Sequence, residues 1–361
     1  MNFTLSEQQS ALQDSLARLI EEACNIRRVH TVMDKDSGFD TELWQQLVAF
    51  GAAGTCIPEE FGGLGLEMID LALIAEVLGN KAAPVPFLGH ALAGLAILHA
   101  GSDAQKKEWL PKIASGEVLA TVAFGEGQGA WLPEQWKLAP GATISGDKWN
   151  VPNGKEAGLF VVGLAGGALA LVKAGPVEKS GVEIEALEGV DRTRRIDIVH
   201  FKNAKADLLP NGPTASPLIR DAALVLLAAD AFGGATRCLD MSVAYAKERE
   251  QFGMKIAQFQ ALRHQLANMA IETEPMRGLY WYAAHAFDHV KDKASYAAAM
   301  AKAHLADRYQ QVARDATEAH GGIGYTWEYD VHIFLKRALF DFAWMGAPSV
   351  HRLRAADLAG W

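Results

Sequence analysis

Two short stretches carry residues suited to gripping an anionic ligand. Arg249-Glu-Gln-Phe-Gly253 sets a guanidinium beside a Phe-Gly break, where a helix should end. A guanidinium there can grip a diphosphate through paired hydrogen bonds. Read locally, the same arginine is more simply a solvated residue in the charged run Lys247-Glu-Arg-Glu. Downstream, His320-Gly-Gly-Ile-Gly-Tyr325 reads as a helix exit whose glycines permit positive φ and close approach of backbone to a ligand. Its plain alternative is a turn between two helices.

The elements that must position these stretches fall into three textures. Residues 1 to about 115 read as helical: Ser6 can cap a helix with Leu12, Leu16, Leu19 and Ile20 at helical spacing, and others are expected over 41–50, 68–78, 89–100 and from 104. From about 116 to 213, short apolar runs such as Leu119-Ala-Thr-Val-Ala-Phe124 and Leu159-Phe-Val-Val162 alternate with Gly, Pro, Asn and Asp turns, the pattern of an antiparallel β domain. From 214 to the end long helices return, over about 217–249, 258–289 and 295–319, followed by a shorter one over about 330–342 and another near the terminus, and suggest an up-down bundle. Pro275 should kink or break the second of these.

The chain has 361 residues, half of them hydrophobic, enough for two or three compact units. A net charge of -9 argues against a nucleic-acid partner. Cys24, Cys56 and Cys238 are scattered and in no metal-type spacing, which fits buried free thiols in a reducing cytoplasm. No basic-then-apolar leader opens the sequence, and no uncharged run approaches the ~20 residues of a membrane span. The most apolar stretch, 222–234, is interrupted by Asp230 and reads as a buried core helix.

Helices, a β domain and a four-helix bundle, in that order, resemble the acyl-CoA dehydrogenase family over essentially the whole chain. Phe3-Thr-Leu-Ser-Glu-Gln, Ile57-Pro-Glu-Glu-Phe-Gly-Gly-Leu-Gly-Leu66, Gly146-Asp-Lys148, Val151-Pro-Asn-Gly154, Phe259-Gln260 and the two stretches above carry the likeness. The chain is similar to the bacterial steroid-side-chain type, in which two unlike chains form an α2β2 tetramer. The resemblance implies FAD as cofactor. It implies that Arg249 grips the FAD diphosphate of the neighbouring subunit, with Gln251, Phe252 and Gln260 beside it. The loop at Gly321 and Gly322 would pass that FAD's adenosine. Two residues before His320 the family's usual Gln is Glu318 here, an added charge that a local Arg or Lys would have to meet.

The implied reaction is α,β-dehydrogenation of an acyl-CoA thioester, in which a carboxylate removes the C2 proton and hydride leaves C3 for the flavin. The family's usual Glu falls at Met345 and the following Thr at Ala347. The alternative base position, 26 residues before Arg249, is Ala223. Neither Met nor Ala accepts a proton. Asp221 is two residues from that position, on a different helix face, and reads more simply as a solvated acid near a helix start. Flavin contacts of the β domain are matched only loosely, by Gly125-Glu-Gly127, Asn150 and Pro152. What is kept is what a family member lends to its neighbour, and what is lost is what it uses itself. The expectation is a supporting subunit that completes the FAD site of a homologous partner chain. The alternatives are a self-sufficient homotetramer using Asp221 or Glu126, another flavin reaction on the same fold, and a flavin-free scaffold. An electron-transfer flavoprotein as electron acceptor and Arg220 as a CoA contact follow by analogy alone.

Overall fold

The computed structural model describes residues 4–35 and 39–361, so Phe3 of the first family pattern lies outside the described residues. Six helices come first: α1 (Glu7–Ala23), α2 (Ile26–Met33), α3 (Thr41–Phe50), α4 (Met68–Asn80), α5 (Phe87–Ala100) and α6 (Asp103–Ala114). Ser6 caps α1 as its residue type predicts: its side chain accepts from the Gln9 amide while the Gln9 side chain accepts from the Ser6 amide. The short α2 carries too few apolar repeats to be visible as a period.

The middle region holds β1 (Ala120–Ala123), β2 (Thr143–Pro152), β3 (Leu159–Leu164), β4 (Ala168–Lys173), the one-turn α7 (Val177–Ser180), β5 (Val182–Leu187), β6 (Ile196–Lys205) and β7 (Asp207–Leu209). They form two sheets, ordered β1-β3-β4-β7 and β2-β6-β5. All pairings are antiparallel except that of β1 with β3. Every residue of β3 is buried, which explains its continuous apolar run. The β2–β6 register shifts between Lys148 and Val151. This bulge contains Trp149 and Asn150, and Asn150 takes φ +55°, a conformation Asn tolerates better than most.

The last region begins with α8 (Gly212–Glu248), then a hairpin of β8 (Glu250–Gln251) and β9 (Met254–Lys255), then α9 (Gln260–His289), α10 (Lys291–Ala319), α11 (Val331–Ala343) and α12 (Pro348–Ala359). By length and composition α8 is apolar enough to cross a membrane, but 83% of its apolar window is buried inside the fold, as a core helix would be. Pro275 does not break α9, which runs unbroken through it. The buried Met276 and Tyr280 of the following turn pack into the core and hold the helix where one backbone hydrogen bond is lost.

Helices α4 and α8 touch backbone to backbone. A Cβ on Gly233 would lie 2.0 Å from the Glu76 carbonyl oxygen, and one on Gly79 would lie 2.3 Å from that of Asp230. The up-down order then brings the end of α8, the start of α9 and the end of α10 together. Tyr245 of α8 stacks on His320 with ring centroids 4.6 Å apart, and Gln265 of α9 donates to the Asp315 carbonyl of α10 at 3.2 Å. All three cysteines are free, and Cys24 and Cys238 are buried.

Candidate functional site

The structure gathers one set of the predicted residues at this end of the bundle. Arg249 is the C-cap of α8, its amide bonded to the Tyr245 carbonyl and its side chain exposed. The hairpin that follows pairs Glu250 with Lys255 and Gln251 with Met254. Its turn, Phe252-Gly253, has φ +54° and +81°, the left-handed pair that two-residue hairpins favour. A bulky residue pays strain in that region, and Phe252 nevertheless presents its ring to solvent, 90% exposed. Gln260 opens α9 and Glu318 lies in the last turn of α10, both exposed. Glu318 makes no ion pair among the described residues. Gly321 takes φ +65°, and a Cβ on it or on Gly322 would meet only open space. His320 is buried between the rings of Tyr245 and Tyr329, 4.6 Å from each, and bonds to the Ala316 carbonyl at 2.7 Å, so it shapes the loop from inside.

The second set lies elsewhere. Ala223 and Arg249 are 26 residues apart on one helix, which is about 39 Å along its axis. Ala223 and Met345 are both fully buried. Met345 takes φ +61°, its carbonyl bonds to His351 Nε2 at 2.8 Å, and the buried Lys302 ammonium donates to the carbonyls of Asp341, Phe342 and Trp344 just before it. Asp221 is not a solvated acid near a helix start. Because α8 begins at Gly212, it falls in the third turn, buried, with Oδ1 bonded to Arg220 and to Arg354 at 3.0 Å each and Oδ2 to the Ser295 hydroxyl. Arg220 is likewise buried against Asp221, 3.9 Å from Glu134. Glu126 accepts from Lys148 Nζ at 2.7 Å and from the amides of Lys137 and Leu138. Partial burial raises its pKa, but the Lys148 ammonium and the two amides outweigh this and hold the carboxyl below its usual range. Both acids are structural ties.

The walls that should hold a flavin between them are in contact. Trp344 Nε1 donates to the Asn150 carbonyl at 3.0 Å, joining the base segment to the β2 bulge. Trp131 meets Trp344 edge-on at 6.0 Å, and Phe340 stacks on Trp344 at 5.9 Å. Thr121 donates to the Pro152 carbonyl at 2.6 Å. The cavity left between Phe87, Asn153, Arg194, Leu226 and Arg337 measures about 30 Å³, room for about one water. A half-open cleft of about 210 Å³ persists beside Trp131, Leu339 and Trp344, smaller than the several hundred Å³ typical of ligand pockets. A larger hollow of about 630 Å³, lined by Trp109, Lys173, Pro176 and Lys205 among others, contains none of the predicted residues.

Residues 6–117 match the profile of acyl-CoA dehydrogenase, N-terminal domain, and residues 224–359 that of acyl-CoA dehydrogenase, C-terminal domain. The chain belongs to the acyl-CoA dehydrogenase family. The acyl-CoA dehydrogenase IpdE2 of Mycolicibacterium smegmatis is 30% identical over 357 residues, 97% of this chain and 99% of that protein. Among solved structures, a variant of the Tcur3481-Tcur3483 steroid ACAD superposes with a TM-score of 0.89 at 30% identity, over 99% of both chains. The ChsE4-ChsE5 complex from Mycobacterium tuberculosis gives a TM-score of 0.88 at 25% identity, over 100% of this chain and 99% of that one.

FAD is the cofactor of the acyl-CoA dehydrogenases. The donor set at the bundle end suits a dinucleotide: an exposed guanidinium, two exposed carboxamides, and glycines with open space beside them. The niche on this chain's own side does not suit a flavin ring, because Trp344 and Asn150 already bond across it. Sequence reasoning missed Trp131, Arg194, Lys302, Arg337 and Asp341. One signal was in view: Asp230 interrupts an apolar run, and a charge inside a buried helix demands a partner.

Proposed function

We propose that this chain is the supporting member of a two-chain acyl-CoA dehydrogenase. It completes the FAD site of a homologous catalytic chain and has no working site of its own. The observation that carries this is the Trp344–Asn150 bond, which closes the chain's own niche while the residues suited to a dinucleotide stand exposed at the far end of α8. Removal of a proton from C2 of a thioester requires a base within hydrogen-bond reach. Met345 and Ala223 supply none, and Asp221 and Glu126 are committed to cations, so the base belongs to the partner. FAD, when bound, supplies the hydride acceptor. This chain's part is to grip the diphosphate through Arg249, to flank it with Gln251 and Gln260, and to cover it with Phe252 and the Gly321–Gly322 turn. A steroid-type acyl-CoA is the favoured substrate class, from the 30% likeness to the steroid ACAD structure.

The test is FAD stoichiometry. The chain is purified alone and co-expressed with acyl-CoA dehydrogenase homologues encoded beside it, and flavin absorbance is measured with mass by light scattering. The expected result is no flavin on the free chain, and a heterotetramer with one FAD per two chains. A free chain carrying one FAD each and turning over acyl-CoA overturns the proposal.

A further inference from the structure

The segment between β5 and β6 buries three polar residues, Asp191, Thr193 and Arg194, against the helical bundle. Arg194 pairs with Asp230 of α8 at 2.5 Å and with Asp341 of α11. Arg337 of α11 grips the same Asp230 with two nitrogens, Nε to Oδ1 at 2.9 Å and Nη2 to Oδ2 at 2.6 Å. The remaining Arg337 nitrogen donates to Thr193 Oγ1 at 2.8 Å, and that hydroxyl donates to Asp191 Oδ1 at 2.7 Å. Lys302 of α10 adds its ammonium at the Asp341 carbonyl. Three basic groups therefore meet three acidic ones, and burial keeps the Asp341 carboxyl towards its neutral form. All six groups are at least nine-tenths buried.

Such a cluster is expensive to bury, and it favours a single geometry only when its members are all in place. Its placement gives it a task. Arg194, Asp230 and Arg337 line the 30 Å³ cavity, and Arg194 also lines the neighbouring cleft. The cluster ties the β sheets to α8 and α11 beside the niche that Trp344 and Asn150 close. We propose that Arg194, Asp230, Arg337 and Asp341, with Thr193 and Asp191 behind them, form an ionic latch that fastens the β domain onto the bundle without any bound ligand and keeps this chain's own niche shut. This rests on the reading of the chain as a supporting subunit, and it names the residues that make its own side inert. Burial raises the Asp341 carboxyl, whereas at Asp230 the same burial is outweighed by Arg194 and Arg337, which hold that carboxyl below its usual range.

The experiment is hydrogen exchange by mass spectrometry on the full chain, wild type against Arg194→Gln and Thr193→Val. Thr193→Val keeps the shape and removes only the link from Arg337 to Asp191, so it folds where the charge variant fails. The latch predicts exchange at least tenfold faster in 188–196, β1 and β3 for Arg194→Gln, and a smaller rise at the same places for Thr193→Val. Exchange at 249–260 and 318–325 stays unchanged. Acrylamide quenching of tryptophan fluorescence rises in parallel as Trp131 and Trp344 become accessible. Unchanged exchange at 188–196 in every variant that folds overturns the latch. FAD stoichiometry of the wild-type complex is read separately. One FAD per chain there sinks the supporting-subunit reading, whereas half occupancy with unmoved exchange sinks the latch alone.

Discussion

Met345 is the residue on which the proposed loss of catalysis turns, and its surroundings differ from those of a base waiting to be restored. It is fully buried in a left-handed conformation, and the nearby Lys302 ammonium already spends its protons on three carbonyls. A Glu placed there finds no free donor and is driven towards its neutral form. Met345→Glu is therefore expected to destabilise the chain by about 3 kcal/mol and to leave it without dehydrogenase activity when isolated. Met345→Leu should cost less than about 1.5 kcal/mol. Urea unfolding with a dye-coupled assay decides it, and a stable, active Met345→Glu chain would mean that the niche lacked only a base. At the other end, Arg249→Ala in the assembled complex removes a charge-assisted grip worth about 1.5–3 kcal/mol. FAD should then dissociate ten-fold or more readily in a fluorescence titration, with folding of the free chain unchanged because Arg249 is exposed.

Among the elements, the α4–α8 crossing is the most exacting, because its two backbones meet without side chains between them. Gly233→Ala would drive a methyl group to 2.0 Å from the Glu76 carbonyl oxygen, which neither helix can yield without parting. A loss of about 3 kcal/mol is expected from such overpacking. Gly278 on α9 is the contrast: it is exposed, helical and clear of every neighbour within 4 Å. Gly278→Ala should stabilise the free chain by about 0.5–1 kcal/mol through helix propensity alone. Chemical denaturation of both variants checks the pair, and equal effects would show that the crossing tolerates separation. The long helices α8, α9 and α10 were legible in the sequence as long stretches joined by short connections. The hairpin of β8 and β9 was not, since two-residue strands have no period to read. The buried cluster was invisible for another reason. Asp230 and Arg337 are 107 residues apart and Arg194 and Asp341 147, and nothing local marks such partners. Of the site, the motif around Arg249 and the missing Glu could be read, whereas the filling of the niche by Trp344 and Trp131 required the packed chain.

The molecule as a whole is held together partly by histidines that must stay neutral. His90 uses both ring nitrogens inside the core, one at the Ile113 carbonyl at 3.1 Å and the other accepting from the Ala120 amide at 3.3 Å, and so binds α5 to α6 and β1. His351 donates to the Met345 carbonyl from a fully buried ring. Burial pushes each imidazole down to about 4. The folded chain thus resists a proton that the unfolded chain accepts near pH 6.5, and stability contributed by each histidine is lost as pH falls from about 6.5 towards 4. At pH 5 the loss is about 2 kcal/mol per histidine. Buried carboxyls whose pKa values are raised, Glu76 and Asp197 among them, work in the opposite sense, so the net slope mixes both. A variant isolates one contribution. His351→Gln keeps a donor for the Met345 carbonyl and cannot titrate. Urea midpoints of wild type and variant, compared at pH 7.5 and pH 5, should therefore diverge, with the wild type losing about 2 kcal/mol more on acidification. Parallel pH profiles would show that His351 is charged or solvated in the folded chain, and the segment holding Met345 would then be open to water rather than sealed.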